Sequence, residues 1–315
     1  MRILFTISIL ICTIGLFGQN QPVFTQYVFN NYALNPAVGG SFPCSDFKFG
    51  RRAQWDGLEG APTTSFFTFN TAINRKFGYM KSFNGVGAMY IADEAGPYSN
   101  RALYFSYARH FHVNRTTLLS LGSFVGVRSY VYGGAGVITN TFDPIVNTTS
   151  SVLQMPEVHP GAWLYSKKFF AGLAVFNLYP FKLKSGGNAI GSPSNITPMV
   201  VATYGKIIKS KGYYYKFIPS TQLRFTPNAP PSVDFNFLWE IQNKITFGAS
   251  YRSMSSVAAM LQVKMLHRFK FGYSVGYGVG SISGLKPFSH EIMLSFQACK
   301  DVEALKEEHA CPAYY

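Results

Sequence analysis

Hydrophobic and polar residues alternate with a period of two along most of this chain, most clearly near its end. Val233, Phe235, Phe237, Trp239 and Ile241 alternate with Asp234, Asn236, Glu240 and Gln242. After Asn243-Lys244 the pattern resumes, with Ile245, Phe247, Ala249 and Tyr251 set against Thr246, Gly248, Ser250 and Arg252. A third run places Phe269, Phe271, Tyr273, Val275, Tyr277 and Val279 against Arg268, Lys270, Ser274 and four glycines, and a fourth places His290, Ile292, Leu294 and Phe296 against Ser289, Glu291, Ser295 and Gln297. Successive strand side chains point to opposite faces, so each run predicts a strand with one apolar and one polar face.

A half-buried soluble sheet would alternate in the same way. These runs, however, reach about 10 residues, the length of a tilted strand crossing a bilayer, whereas strands of globular proteins average about 5–6. Their polar face is rich in Gly, Ser, Lys, Arg and Glu, which suits a wet lumen. The pattern predicts an all-β fold, a transmembrane antiparallel barrel of about 14 strands. The competing fold is a secreted β-sandwich adhesin, which would need no detergent for extraction.

The predicted strands cover roughly 43–54, 63–75, 84–94, 99–111, 115–132, 158–167, 169–178, 197–208, 213–225, 232–242, 244–253, 255–266, 268–281 and 286–297. An even number places both termini on one side, the periplasm for an outer-membrane barrel. Counted from there, the outward connections include 133–157 and 179–196, and most inward ones are short (HVN, KK, IKSKG, QNK, HR). Long outer loops with short periplasmic turns are the usual asymmetry.

Composition agrees: 17% of residues are aromatic and 13% charged, against about 25% charged in ordinary globular domains. Mean hydropathy is only +0.07, because two opposed faces cancel. Residues 1–18 predict a cleaved signal peptide, with Arg2 before an apolar core from Ile3 to Phe17 and a small residue at Gly18. Residues 19–41 carry too much Asn, Pro and Gly for a spanning strand. Phe24, Gln26, Tyr27, Phe29 and Asn30 mark this stretch as a packing element: a plug inside the barrel, a pad under its periplasmic mouth, or an ordered lead-in to the first strand. The barrel then occupies 42–297, and 298–315 forms a polar periplasmic tail. Cys12 leaves with the leader; Cys299 and Cys311 could pair and leave Cys44 over, or all three could be free thiols.

The net charge of +14 is unevenly placed. Arg75, Lys76, Lys81, Arg115, Lys167, Lys168, Lys209, Lys211, Lys244 and Arg268 fall at or near the inward turns. They are either cations snorkelling at the rim or a basic collar that docks an acidic periplasmic partner. No nucleic-acid module or aromatic-interleaved basic groove is present.

Signals for catalysis are weak. His110 and His112 lie two apart on one strand face with no local carboxylate or Cys to complete a metal site. His290 and Glu291 are adjacent and so face opposite ways. The glycine-rich GVGA and GYGVGSISG stretches lie in strand alternation rather than before a helix, where a phosphate cradle would sit. No cofactor, metal or catalytic set is expected.

Several motifs resemble the PorP/SprF family of outer-membrane proteins of the type IX secretion system and its gliding machinery. The opening from Pro22 to Asn30, with Asn35-Pro36-Ala37 and Gly40-Ser41, is similar to the family's first signature. Arg52-Ala53-Gln54-Trp55-Asp56-Gly57 followed by Gly60-Ala61-Pro62-Thr63 is similar to its second. Gly85-Val86-Gly87 with Asp93 and Gly96-Pro97, then Phe142-Asp143-Pro144, Gly172-Leu173-Ala174-Val175 and His290-Glu291, carry the likeness to the barrel's end. Val38 stands where the family often has an aromatic, and the tail with Cys299 and Cys311 has no counterpart.

The resemblance implies a fourteen-stranded, non-enzymatic accessory of secretion in the outer membrane. It implies partnership with a large type IX cargo bearing an adhesin-type C-terminal signal, and association with the periplasmic ring of PorK/PorN-type components. Candidate cargo contacts are then Trp55, Asp56, Leu58 and Glu59, with Asp143, Lys182 and Lys184 of the two longest outer loops. The alternative function is a diffusive pore for anionic small solutes, since the predicted lumen is lined by Gly, Ser, Lys and Arg.

Overall fold

The computed structural model describes residues 23–73, 82–133, 151–178, 198–210, 215–227, 229–253, 255–265, 268–279 and 288–298. Its strands are β1 (Ser45–Ala53), β2 (Thr63–Ile73), β3 (Phe83–Ala95), β4 (Tyr98–His112), β5 (Thr117–Tyr132), β6 (Ser151–Ser166), β7 (Phe169–Phe176), β8 (Met199–Lys206), β9 (Ile208–Lys209), β10 (Tyr215–Phe225), β11 (Ser232–Ile241), β12 (Ile245–Arg252), β13 (Ser256–Met265), β14 (Phe269–Gly278) and β15 (Phe288–Ala298). Every pairing is antiparallel, and β1 pairs with β15 to close the sheet into a barrel. β8 and β9 keep one register on β10, with Gly205 opposite Ser220 and Lys209 opposite Lys216. They are one stave interrupted at Ile207, so the wall has fourteen staves.

The alternation resolves inside out, as membrane barrels require. Phe235, Phe237 and Trp239 are 38–47% exposed on the outer surface, while Asp234, Asn236 and Glu240 between them are at most 4% exposed and face inward. Closure is what makes this wall possible in hydrocarbon, because β1 and β15 pair and the sheet is left with no terminal edge strand. Where the β11–β12 hairpin turns, Gln242 and Asn243 both have positive φ (51° and 54°), and the Lys244 amide donates to the Ile241 carbonyl at 3.0 Å. That is the two-residue turn whose twist matches the flanking strands.

One end of the barrel carries the connections after β2, β4, β6, β9, β11 and β13. It is called the turn end; the opposite end is the loop end. β4, β5 and β6 are the tallest staves, at 15, 16 and 16 residues.

Two expectations change. The outer segment 133–157 is shorter than the sequence suggests, because β6 begins at Ser151. The predicted strand starts at 158, but β5 extends to Tyr132 and pairs with β6 over its whole length, from Tyr132 opposite Ser151 to Thr117 opposite Ser166, so that β6 takes in Pro156 as well as Pro160. β6 pairs with β7 only from Gly161 to Tyr165, so a residue without an N–H is tolerated along its loop-end half, where β5 is its described neighbour. Cys44, expected to be left over or free, is disulfide-bonded. The leader, Asp143, Lys182, Lys184, Arg75, Lys76, Lys81, Lys211, Cys299 and Cys311 lie outside the described residues.

Candidate functional site

The lumen is the place where polar chemistry is concentrated, and the segment before β1 fills its middle. Two short 3₁₀ turns, Asn31–Ala33 and Pro36–Val38, fold this segment into a compact knot. Asn35 caps the second: its side chain accepts from the Ala37 amide at 3.0 Å, and Pro36 supplies the fixed φ of a first helical position. Phe24, Tyr27, Phe29, Tyr32, Ala37 and Val38 are all at most 5% exposed. Gln26 and Asn30 are buried with them.

The knot is tied to staves all round the barrel. The Glu291 carboxylate of β15 accepts from the Thr25 and Gln26 amides at 2.9 and 3.0 Å. Tyr27 bonds Ser220 of β10 at 2.9 Å, Asn30 donates to Thr68 of β2 at 3.2 Å, and Tyr32 bonds Ser106 of β4 at 2.6 Å. Asn35 donates to the carbonyls of Ala162 and Leu173, on β6 and β7, at 2.9 and 3.2 Å. Near the turn end His110 bonds the Gly39 carbonyl at 2.8 Å, and the Gly40 amide donates to Asn70 at 3.1 Å. Burial, partly offset by these hydrogen bonds, pushes the Tyr27 and Tyr32 hydroxyls above the usual tyrosine range, so both stay protonated. Rings complete the fit: Phe24 meets Phe66 edge-on at 4.7 Å and Lys270 lies 5.2 Å over the Phe29 ring.

The wall makes room for the knot with glycine. Gly40, at φ +77°, rests against Gly85 of β3; a Cβ on Gly40 would lie 2.6 Å from Gly85 Cα.

Charged side chains occupy the lumen on either side of the knot, and the sequence reading did not group them. Toward the loop end, Arg224 and Arg252 both grip Asp234, each with contacts of 2.9 Å, and Arg252 also donates to the Phe24 carbonyl at 3.4 Å. On the opposite wall Arg128 pairs with Glu157 at 2.9 Å, joined by Tyr104, Asn100 and His159. Toward the turn end Lys48 pairs with Asp46 at 2.6 Å, and Lys216 with Glu240 at 2.6 Å and with Asn243. Inward-facing charge at even spacing along each strand was the available signal, but pairing depends on register between strands far apart in sequence.

The other candidates sort by end. Trp55, at φ 53°, and Asp56, Leu58 and Glu59 form the β1–β2 connection at the loop end; Asp56, Leu58 and Glu59 are exposed. The Asp56 amide donates to the Phe288 carbonyl at 2.9 Å, which pins this turn to β15. Arg115, Lys167, Lys168, Lys209 and Arg268 are exposed at the turn end, as is Lys244. His110 spends both ring nitrogens, on Gly39 and on the Tyr165 hydroxyl. Among the described residues no group of three or more His, Cys, Asp or Glu could hold a metal ion.

A family model described as type IX secretion system membrane protein PorP/SprF matches residues 16–296. No curated protein matches the chain. Among solved structures, the Ralstonia pickettii toluene transporter TbuX is similar over 91% of this chain and 96% of its own, at 12% identity and a TM-score of 0.50. The monoaromatic hydrocarbon channel CymD, at 10% identity and a TM-score of 0.49, covers the same shares. At such identities the likeness is one of fold.

Proposed function

The chain belongs to the PorP/SprF family of type IX secretion system membrane proteins, and from that premise we propose that it partners a secreted, adhesin-type surface protein during export and holds it at the cell surface. The chemistry is recognition rather than catalysis. The observation that carries this reading over a diffusive pore is the knot before β1: a segment hydrogen-bonded to eight staves, β2, β4, β6, β7, β10, β11, β12 and β15, leaves little lumen for solutes, while a docking platform needs no open channel.

In this reading the turn end faces the periplasm and the loop end faces outward. Trp55, Asp56, Leu58 and Glu59, with Asp143, Lys182 and Lys184, then meet the cargo. The exposed Arg115, Lys167, Lys168, Lys209 and Arg268, with Arg75, Lys76 and Lys211, form a basic collar for the PorK/PorN-type ring, since one-signed surface steers its complement.

Deleting the gene tests the proposal. Large type IX cargo should accumulate in the cell or be shed to the medium, and re-expression should restore it to the surface. Unchanged secretion and retention of every such cargo would refute the role.

A further inference from the structure

The loop-end half of the lumen holds an arginine whose obvious partner is already taken. Arg52 of β1 is 9% exposed and lies directly opposite Glu291 of β15 on one side and Thr64 of β2 on the other. A cross-strand Arg–Glu pair would be the ordinary outcome. Instead both oxygens of Glu291 accept the Thr25 and Gln26 amides of the knot. Thr64 donates to Asp93, and Asp234 is held by Arg224 and Arg252. Among the described residues Arg52 makes no hydrogen bond and no ion pair within 4 Å.

A second group nearby is also unpartnered. Gln222 of β10 is 0% exposed, and neither of its amide atoms has a partner. It stands opposite Asp234 and two residues from Arg224, on the same face. A fully buried amide without either partner is costly to leave unmet, and it borders the same charged cluster as an arginine whose fork has no protein acceptor.

We propose that the loop-end lumen is a carboxylate-binding site, in which Arg52 takes a carboxylate of a polypeptide entering from outside and Gln222 donates to the same ligand. The planar fork of arginine matches a carboxylate with two parallel N–H bonds. Asp93, Asp234 and Glu291, the carboxylates that act on Arg52, already balance Arg52, Arg224 and Arg252 in number. A monovalent carboxylate is tolerated there far better than a divalent phosphate. The polypeptide as source rests on the proposed export role; the site itself does not.

The test uses the full chain in detergent, with heat-modifiable gel mobility to confirm that each variant is folded. Calorimetric titration would compare tetraglycine, its C-terminal amide, acetyl-Gly-Asp-Gly-amide and inorganic phosphate. The wild type should bind a carboxylate-bearing peptide at least about tenfold more tightly than the tetraglycine amide. Arg52→Lys, which keeps the charge but loses the fork, should weaken that preference, and Arg52→Met should abolish it. Stronger binding of the aspartyl peptide would identify an acidic side chain as the ligand, and stronger binding of tetraglycine a chain terminus. Equal binding of acid and amide, a preference that survives Arg52→Met, or tighter binding of phosphate would each overturn the assignment. No cargo enters these titrations, so their failure leaves the export role standing; normal secretion without the gene would refute that role and leave the site.

Discussion

Adding one methyl group at Gly85 should dislodge the knot while sparing the wall. A Cβ there would point into the lumen and land on the Gly39 carbonyl, 2.6 Å from its carbon and 3.0 Å from Gly40 Cα. Ordinary carbon–carbon contacts are about 3.5–4.0 Å, so the 39–40 backbone must retreat by about 1 Å. Backbone cannot swing aside as a side-chain tip does. The overpacking itself costs about 1–3 kcal/mol. The retreat also strains two hydrogen bonds, His110 to the Gly39 carbonyl and the Gly40 amide to Asn70, each worth about 0.5–1.5 kcal/mol. The combined penalty of roughly 2–6 kcal/mol raises the undocked fraction by about 30-fold or more. The matched control is Gly276→Ala, which also faces the lumen but whose Cβ would meet nothing nearer than 3.8 Å. Planar-bilayer recordings of purified protein should show openings in Gly85→Ala and none above the wild-type level in Gly276→Ala. Amide exchange over 24–40 should speed up in the former only. A Gly85→Ala protein with wild-type conductance and wild-type protection would refute the idea that close backbone contact holds the knot.

Other expectations follow from the same contacts. Asn35→Ala removes both wall bonds and the cap on Ala37; exchange over 31–40 should accelerate by a factor corresponding to about 1–3 kcal/mol, while the wall strands keep their protection. Arg128→Met leaves the buried Glu157 carboxylate without its cation, a change of about 3–5 kcal/mol when one partner of a buried pair is lost; the temperature of the heat-modifiable gel shift should fall, and Arg128→Met/Glu157→Leu should recover part of the loss. Cys44 precedes β1 and is disulfide-bonded, and in the sequence Cys299 follows β15, the strand that pairs with β1. Peptide mapping without reductant should therefore find Cys44 joined to Cys299, and Cys299→Ser should abolish the Cys44 bridge while Cys311→Ser leaves it intact.

The wall was legible in the sequence because its rule is local. A period of two sorts each residue to lipid or lumen whatever the rest of the chain does, so Phe235, Phe237 and Trp239 could be placed outward and Asp234 and Glu240 inward from residues 233–242 alone. Local reading fell short at β6, whose first residues, 151–157, it left in the outer segment and whose length is set by its register with the long partner strand β5. It also identified the aromatics from Phe24 to Phe29 as side chains needing cover, yet left their location open. Only closure of the barrel decides that: it brings Glu291 to Thr25 across 266 residues, His110 to Gly39 and Ser220 to Tyr27. The same closure pairs Arg128 with Glu157 and leaves Arg52 beside a glutamate already engaged by the knot. Which side a residue faces is a property of one strand; what it meets there depends on the register of all fourteen staves together.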